Sequence, residues 1–339
     1  MGYQLKTSSL NDLLTDLSTD YLLFAPKRFI GEAPYSDLDS IRYGEVSCIE
    51  DMELDEKSHY SMKEVFYPIS ETLFYFTEDQ VTESEPRFDK EALVFLRSCD
   101  LHSVKRLDAI YLENKFEDYY YKRLREKIKF VLIGCPSAYD NCFCVDMGTN
   151  RSENYAASID RDGDYYLMDV KDDALDAVIA KHADETLDVL PRYVTETKTR
   201  VRLSDHVDPQ KVAASDFWNQ YDKRCIACGR CNFVCPTCTC FTMQDIFYRD
   251  NGRVGERRRV HASCMVDGFT DVAGGGKYRA RHGERMRFKT LHKVYDFKKR
   301  FGYHMCTGCG RCDDVCPEYI SFSTMVTEVA DISDAKEAR

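Results

Sequence analysis

Short apolar runs and longer stretches with helical spacing alternate in the N-terminal part of the chain. Residues 92–96 and 130–133 are uninterrupted apolar runs, which are typical of strands buried on both faces. Between them, residues 101–111 and 119–128 repeat apolar side chains every three or four positions, as amphipathic helices do. The order strand, helix, helix, strand predicts two neighbouring strands of one α/β sheet.

Further patterns extend this mixed region in both directions. They predict helices over residues 10–17 and 172–182, strands over 21–25 and 73–76, and a hairpin whose strands, 156–160 and 165–170, flank Asp162-Gly163. A polar stretch over residues 194–206 marks a boundary. We therefore predict an α+β protein, with a mixed α/β domain over residues 1–205 and a second domain over residues 206–339.

The second domain is predicted to be helical. Residues 241–248 and 285–301 both place apolar side chains at intervals of three and four. These segments lie in an insert of seventy residues between Cys235 and Cys306, which is longer than a compact two-cluster ferredoxin needs. A helical ferredoxin-like module is therefore expected rather than a ferredoxin sheet.

Two runs of four cysteines in this module carry the strongest chemical signal. They are Cys225, Cys228, Cys231 and Cys235, followed by Pro236, and Cys306, Cys309, Cys312 and Cys316, followed by Pro317. Both runs have the spacing C-x2-C-x2-C-x3-C-P, with which bacterial-type ferredoxins bind [4Fe-4S] clusters. Two copies predict two [4Fe-4S] clusters, and therefore electron transfer.

In such motifs the fourth cysteine ligates the other cluster. This rule predicts a first cysteine group, Cys225, Cys228, Cys231 and Cys316, and a second cysteine group, Cys235, Cys306, Cys309 and Cys312. Gly229 and Gly310 occupy equivalent places in the two runs. The alternative is structural zinc, since paired C-x2-C units also bind zinc, but zinc modules seldom add a third cysteine and a trailing Cys-Pro.

The ends of the two buried strands raise the hypothesis of a third cluster. Cys99 and Cys135 follow these strands, and neighbouring parallel strands deliver their carboxyl ends to one sheet edge. Cys142 and Cys144 come in the next loop, so these four form a third cysteine group. The alternative is that they are buried apolar fillers, as free cysteines often are. Burial is also the expectation for Cys48, Cys238, Cys240 and Cys264, which stay outside the ligand sets.

Net charge and composition limit the classes of molecule that this chain is expected to bind. The net charge of −11 disfavours nucleic acid. Residues 249–300 are positively charged instead, with fifteen Lys or Arg against six Asp or Glu. This stretch is either a solvated helical face or a region that offsets the negative charge of the clusters and docks an acidic partner or a flavin subunit. No apolar run approaches a membrane span, and the N-terminus lacks a secretory pattern, so we expect a cytoplasmic protein.

The chain shows no nucleotide-binding glycine loop, so it is not expected to bind flavin or nicotinamide itself. Gly274-Gly275-Gly276-Lys277 lacks the spacing of a phosphate loop and is interpreted as a turn. No catalytic residue is predicted.

Several motifs resemble the 4Fe-4S electron-transfer subunit of anaerobic sulfite reductase, over nearly the whole chain. They are Leu23-Phe24-Ala25-Pro26, Ser36-Asp37-Leu38-Asp39, Glu56-Lys57-Ser58-His59, Glu71-Thr72-Leu73-Phe74-Tyr75-Phe76, Arg97-Ser98-Cys99-Asp100, Asn141-Cys142-Phe143-Cys144-Val145-Asp146-Met147-Gly148-Thr149-Asn150, the segment 235–240, and Ser263-Cys264-Met265. The beta subunit of cytoplasmic sulfhydrogenases is a wider relative that shares the cysteine pattern.

This resemblance implies a non-catalytic iron–sulfur subunit of an NADH-dependent, dissimilatory-type sulfite reductase. It would relay single electrons from a flavin and [2Fe-2S] subunit that oxidises NAD(P)H to a siroheme subunit that reduces sulfite to sulfide. It also implies that the third cysteine group binds a cluster. The alternative is the beta subunit of a sulfhydrogenase, a NiFe hydrogenase; a zinc-stabilised scaffold without redox activity is a third hypothesis.

Overall fold

The computed structural model describes residues 1–33 and 37–335. Ser36, which begins one motif of the resemblance, lies outside the described residues. The strands are β1 (Gly2–Lys6), β2 (Tyr21–Phe29), β3 (Ser40–Glu45), β4 (Ser70–Phe76), β5 (Val81–Glu83), β6 (Glu91–Leu96), β7 (Ile128–Ile133), β8 (Ala157–Asp162), β9 (Tyr165–Asp169), β10 (Glu185–Leu187), β11 (Phe241–Phe247), β12 (Gly255–His261), β13 (Asp271–Val272) and β14 (Gly276–Lys277).

Helices cover the sheets and carry the cysteine motifs. The α-helices are α1 (Thr7–Asp20), α2 (Lys63–Phe66), α3 (Ser98–Tyr111), α4 (Tyr119–Arg125), α5 (Asp173–His182), α6 (Pro209–Ala214), α7 (Tyr221–Arg224), α8 (Arg230–Phe233), α9 (His282–Leu291), α10 (Phe297–Phe301), α11 (Arg311–Asp314) and α12 (Phe322–Asp334). Ile49–Asp51 and Asp216–Gln220 are 3₁₀ turns, and His292–Asp296 is a π-helical segment between α9 and α10.

An eight-stranded mixed sheet, in the order β10-β1-β9-β8-β7-β6-β2-β3, forms the N-terminal core. Its central strands β2, β6, β7 and β8 are parallel. Along β6, Leu93 and Phe95 pack towards α1 and α5, whereas Val94 and Leu96 pack towards α3 and α4. Both faces of the strand are therefore buried, which explains its continuous apolar run. The predicted pairing of residues 92–96 with 130–133 is confirmed.

Other predicted elements of this part are also confirmed. The helices over residues 10–17 and 172–182 are α1 and α5, and the hairpin at Asp162-Gly163 joins β8 to β9. The helix over residues 119–128 is confirmed as α4 only as far as Arg125, because Ile128 begins strand β7. Gly163 adopts a φ of 62°, which the turn between these strands requires. Asp172 caps α5 by accepting hydrogen bonds from the N–H groups of Ala174 and Leu175.

The helix predicted over residues 241–248 is wrong, because this segment forms strand β11. It pairs antiparallel with β12 along its whole length, and Asp245 and Arg257 form a two-pronged ion pair across the strands at 2.6 and 2.7 Å. Strand β12 also pairs with β4, giving a four-stranded sheet in the order β11-β12-β4-β5. Pairing with β12, which is in turn paired with β4 from the first half of the chain, therefore overrides the local helical pattern. The helix over residues 285–301 is confirmed as α9, the π-helical segment and α10.

This second sheet joins the two halves of the chain, since β4 comes from the first and β11 and β12 come from the second. The buried guanidinium of Arg259 in β12 reinforces the junction by pairing with Glu71 at 2.8 Å and with Asp118 at 2.9 Å. The division at residues 205 and 206 stays a prediction. Among the described residues, no helix combines the length and apolar composition that crossing a membrane requires.

The two cysteine motifs repeat the same local backbone. Gly229 and Gly310, at φ of 74° and 72°, precede the short helices α8 and α11 in the left-handed conformation that favours glycine. Gly310 also lies against the N-terminal half, because a Cβ atom on it would stand 2.3 Å from the carbonyl oxygen of Asn141. The second motif therefore depends on glycine both for its turn and for its packing.

We expect Gly310→Ala to destabilise the protein more than Gly302→Ala. Gly302 has a similar φ of 84°, but a Cβ atom there meets nothing within 4 Å. Both substitutions lose about 1–2 kcal/mol to the left-handed backbone, and Gly310→Ala must also displace the Asn141 loop. Urea unfolding of anaerobically prepared variants measures the difference; equal losses would contradict the close packing described here.

Candidate metal centres

The first cysteine group surrounds one cavity. Cys225, Cys228, Cys231 and Cys316 all line a space of about 460 Å³. Cys225 follows α7, Cys231 lies in α8, and Cys316 arrives from the other motif after α11. Cys228 is exposed, so this cavity reaches the protein surface. The structure thus brings together the four residues that the crossed rule selects.

The second cysteine group surrounds a neighbouring cavity. A space of about 370 Å³ is lined by its four members, Cys235, Cys306, Cys309 and Cys312. Lys289, Cys312 and Phe322 line both cavities, so the two spaces share a wall. Two adjoining rings of thiols are the arrangement that a pair of electron-transferring clusters needs.

The donor chemistry of both rings suits iron–sulfur clusters. Thiolate is the soft ligand that these clusters take, and hydrogen bonds to sulfur are one of the means by which proteins tune them. The N–H of Gly308 donates to the Cys306 sulfur and that of Ile320 donates to the Cys316 sulfur, each at 3.4 Å. Within residues 1–33 and 37–335, no three His, Cys, Asp or Glu side chains converge on a single-ion position. The thiols instead stand around cavities, which fits a polynuclear core.

Burial favours the protonated form of several of these thiols. It raises the pKa of Cys306 to about 12, and it raises the pKa of Cys312 and of Cys225 above the ordinary thiol value. Because ligation requires thiolates, binding of a cluster would release protons at these positions. A positively charged iron core would supply the compensation that buried thiolates lack on their own.

The third cysteine group lies at the sheet edge where the sequence predicts it. Leu96 pairs with Leu132 in the parallel strands β6 and β7, so Cys99 and Cys135 emerge at the same edge. Burial first, and then the neighbouring thiols Cys142 and Cys135, raise the pKa of Cys144 to about 12. The structure therefore gathers these four thiols, which are half-buried or buried. Their ligation of a third cluster stays a prediction.

The loop that carries Cys142 and Cys144 packs directly on the second cysteine motif. The N–H of Phe143 donates to the carbonyl oxygen of Gly308 at 2.8 Å, and the hydroxyl of Thr149 donates to the carbonyl oxygen of Thr307 at 2.6 Å. The Cys142 sulfur lies 3.5 Å from the carbonyl oxygen of Cys309. The second and third cysteine groups are therefore neighbours, and the three groups follow one another in space.

A buried ion pair fixes this contact. Both carboxylate oxygens of Asp100, next to Cys99, accept hydrogen bonds from the guanidinium of Arg311 at 2.7 and 2.9 Å. The same guanidinium donates to the backbone oxygen and the hydroxyl of Ser58, both at 3.0 Å. Arg311 precedes Cys312, so the pair holds one cysteine group against another. The network therefore joins one residue from each of three sequence motifs.

The remaining cysteines lie outside these rings. A hydrogen bond from Cys264 lowers the pKa of Cys240 to about 6, and the Cys264 sulfur also accepts one from the Asn232 amide at 3.1 Å. Cys238 similarly hydrogen-bonds Cys235, which lowers the pKa of Cys235. Cys48 is half-buried in the N-terminal part. The exclusion of these four residues from the ligand sets stays a prediction.

The sequence does not identify three buried lysines that lie near the rings of thiols as site residues. They are Lys63, Lys289 and Lys293. The available signal is weak: Lys289 and Lys293 stand four positions apart in the apolar pattern of residues 285–301. Lysines in a basic helix usually face solvent. Only the tertiary structure shows that these side chains turn inward.

Comparison with known proteins agrees with this geometry. A family model described as a 4Fe-4S dicluster domain matches residues 224–320, which contain both motifs. The chain therefore carries a C-terminal 4Fe-4S dicluster domain and has the character of an iron–sulfur electron-transfer subunit. It is similar to the sulfhydrogenase 2 subunit beta of Pyrococcus furiosus, with 29% identity over 306 residues, covering 85% of this chain and 88% of that protein. This similarity favours the sulfhydrogenase alternative over the sulfite reductase that the sequence motifs suggest.

We expect Asp100→Asn to lower the free energy of unfolding by about 3–5 kcal/mol, because it leaves the Arg311 guanidinium buried without its partner. Asp140→Asn is the matched control, since Asp140 and Lys198 form an ion pair on the surface. That substitution should leave stability unchanged. Denaturant unfolding of both variants measures this, and similar effects would show that the buried pair does not stabilise the contact.

Proposed function

We propose that this chain is the electron-transfer subunit of a multi-subunit, cytoplasmic oxidoreductase of the sulfhydrogenase type, in the position of a beta subunit. The observation that carries the proposal is the lining of two adjoining cavities by the eight thiols of the two motifs. In each of the two cysteine groups, three thiols come from one motif and the fourth comes from the other. The similarity to a sulfhydrogenase beta subunit supports the same assignment.

The proposed ligands are the first and second cysteine groups, with the third cysteine group holding a further cluster. A bound [4Fe-4S] cluster accepts and releases one electron at a time. The chain contributes the thiolates, the N–H groups of Gly308 and Ile320 that donate to sulfur, and a buried surrounding that excludes water. This function requires no acid, base or nucleophile from the chain.

The spatial order of the groups suits a relay between two partners. The first group reaches the surface at Cys228, the second is central, and the third lies at the edge of the N-terminal sheet. We propose that two partners, one a flavin-containing subunit that oxidises NAD(P)H and the other the catalytic subunit, dock at opposite ends of this series. Single-electron centres between them would divide the two electrons of a hydride into separate steps.

Anaerobic sulfite reductase remains a second candidate because of the motifs in the N-terminal half. Two of them, residues 56–59 and 97–100, supply Ser58 and Asp100 to the Arg311 network. That network holds the second and third cysteine groups together, so it would serve either enzyme. The catalytic partner, with siroheme in one case and a nickel–iron site in the other, distinguishes the two functions.

Anaerobically purified protein should contain about twelve iron atoms if all three groups bind clusters, and about eight if only the two motifs do. The double variant Cys142→Ser and Cys144→Ser should lose about four iron atoms, together with one EPR signal. Cys48→Ser is the control and should retain the full iron content, since Cys48 belongs to none of the groups. Unchanged iron in the double variant would exclude the third site. Protein that contains zinc, contains no iron and gives no dithionite-reducible EPR signal would end the relay proposal.

Affinity purification of the complex from its native cells, under anaerobic conditions, should recover a nickel-containing partner together with a flavin subunit. Metal analysis, flavin fluorescence and the absorption spectrum identify the partners. A siroheme spectrum without nickel would replace the sulfhydrogenase assignment with sulfite reductase. Neither cofactor in an intact complex would reject both.

A further inference from the structure

Three lysine side chains are buried beside the second cysteine group, and one of them, Lys289, also lies beside Cys231 of the first group. Lys63, Lys289 and Lys293 are 3%, 5% and 2% exposed. Within the described part of the chain, none of them forms an ion pair with an Asp or Glu side chain. An ammonium group buried in this way costs several kcal/mol unless a negative charge lies nearby. Thiolate-bound clusters, which carry net negative charge, are the anions that this region offers.

Two of the three ammonium groups touch the segment that begins at Cys235. Lys63 donates to the carbonyl oxygens of Cys235 and Cys238 at 2.9 and 2.8 Å, and its Nζ lies 3.4 Å from the ring of His261. Lys293 donates to the Thr237 hydroxyl at 2.6 Å and lies 3.4 Å from the Cys235 sulfur. Lys293 thus places its positive charge in direct contact with a thiol of the second group.

The π-helical segment His292–Asp296 positions Lys293. In this wider turn the carbonyl oxygen of Lys293 accepts hydrogen bonds from the N–H groups of Met305 at 2.9 Å and Cys306 at 3.3 Å. The backbone of the lysine is thereby tied to the start of the second motif. Single π-helical turns within α-helices occur frequently at functional sites, and this one directs an ammonium group to the ring of thiols.

The charge around the three cysteine groups is unequal. The lining of the second cavity contains Lys289 and Lys293 and no carboxylate among the described residues. In the lining of the first cavity, Lys289 and Arg230 are balanced by Asp313 and Glu318.

Carboxylates also balance the cations near the third group. Arg311 is paired with Asp100, and Lys57 is paired with Asp314 at 2.5 Å. The guanidinium of Arg97, which donates to the Gly134 carbonyl, is the cation there that has no carboxylate partner among the described residues. The second group therefore faces the largest uncompensated positive charge.

We propose that Lys63, Lys289 and Lys293 make the cluster of the second cysteine group the most easily reduced cluster of this chain, with Lys293 as the principal positioning residue. The inference rests on the proposed function. A fixed positive charge at short range stabilises the added electron, and in a water-poor surrounding this attraction is stronger than at the surface. The central member of the series then retains the electron between transfers.

The test is an EPR-monitored redox titration of the anaerobically purified full-length chain with its clusters. Cys309→Ser identifies the signal of the second group as the one that this substitution alters. That signal should have the most positive midpoint potential in the unmodified protein. Lys293→Met, which keeps the length and apolar stem of the side chain, should shift it to a more negative potential and leave the other signals in place.

Two variants serve as matched controls. Lys299→Met removes an exposed charge from the following helix α10 and should shift no midpoint potential. Lys293→Arg keeps the charge and should keep the potential near that of the unmodified protein. If Lys293→Met loses iron, Lys63→Met replaces it with the same expected shift, because Lys63 contacts carbonyl oxygens rather than sulfur.

An unmoved midpoint in a lysine variant with full iron content would overturn the inference, as would assignment of the most positive midpoint to another group. Equal shifts of every signal would also overturn it, since they would indicate a general structural change. Failure of the proposed function looks different, because the unmodified chain would then contain no iron and give no signal to titrate.

Discussion

Compensation of charge around buried sulfur is the constraint on which the rest of this structure depends. Thiolates are costly in a dry interior, and burial alone keeps residues such as Cys306 protonated. The chain answers with N–H groups aimed at sulfur and with inward-facing lysines, whereas the buried Arg311 and Asp100 neutralise each other between the cysteine groups. Several of these contacts also join the two halves of the chain, so fold and site share stabilising interactions.

The local part of the site follows from the sequence because its geometry is local. Within C-x2-C-x2-C, backbone turns alone place three thiols around one cavity, and the left-handed glycines Gly229 and Gly310 repeat at the same offset. The buried strands around Leu93 and Val131 are equally evident, since a strand covered on both faces needs a continuous apolar run. The spacing alone does not place Cys316 beside the cysteines of the other motif. That prediction also needs the rule that the fourth cysteine of such a motif ligates the other cluster.

What the sequence does not reveal depends on distant partners. Strand β11 has apolar positions compatible with a helix, but it pairs with the next strand, β12, and β12 is held in a sheet by the distant strand β4. The burial of Lys63 and Lys293 likewise depends on elements far apart in the chain, because each reaches the Cys235 segment from a separate helical segment. Hydrophobic periodicity and composition describe a residue's neighbours along the chain. The strand conformation of β11 and the burial of these lysines are set by neighbours in space.

The pairing of β12 with β4 also has an evolutionary consequence. Small ferredoxin modules are readily exchanged between proteins when they fold by themselves, but here excision would strip β12 of one neighbouring strand and Arg259 of its partners Glu71 and Asp118. An exposed strand edge and an unmatched cation would favour aggregation of the fragment. The dicluster portion of this chain is therefore not an independently folding module that could be exchanged between proteins. The two halves of the chain are constrained to evolve together.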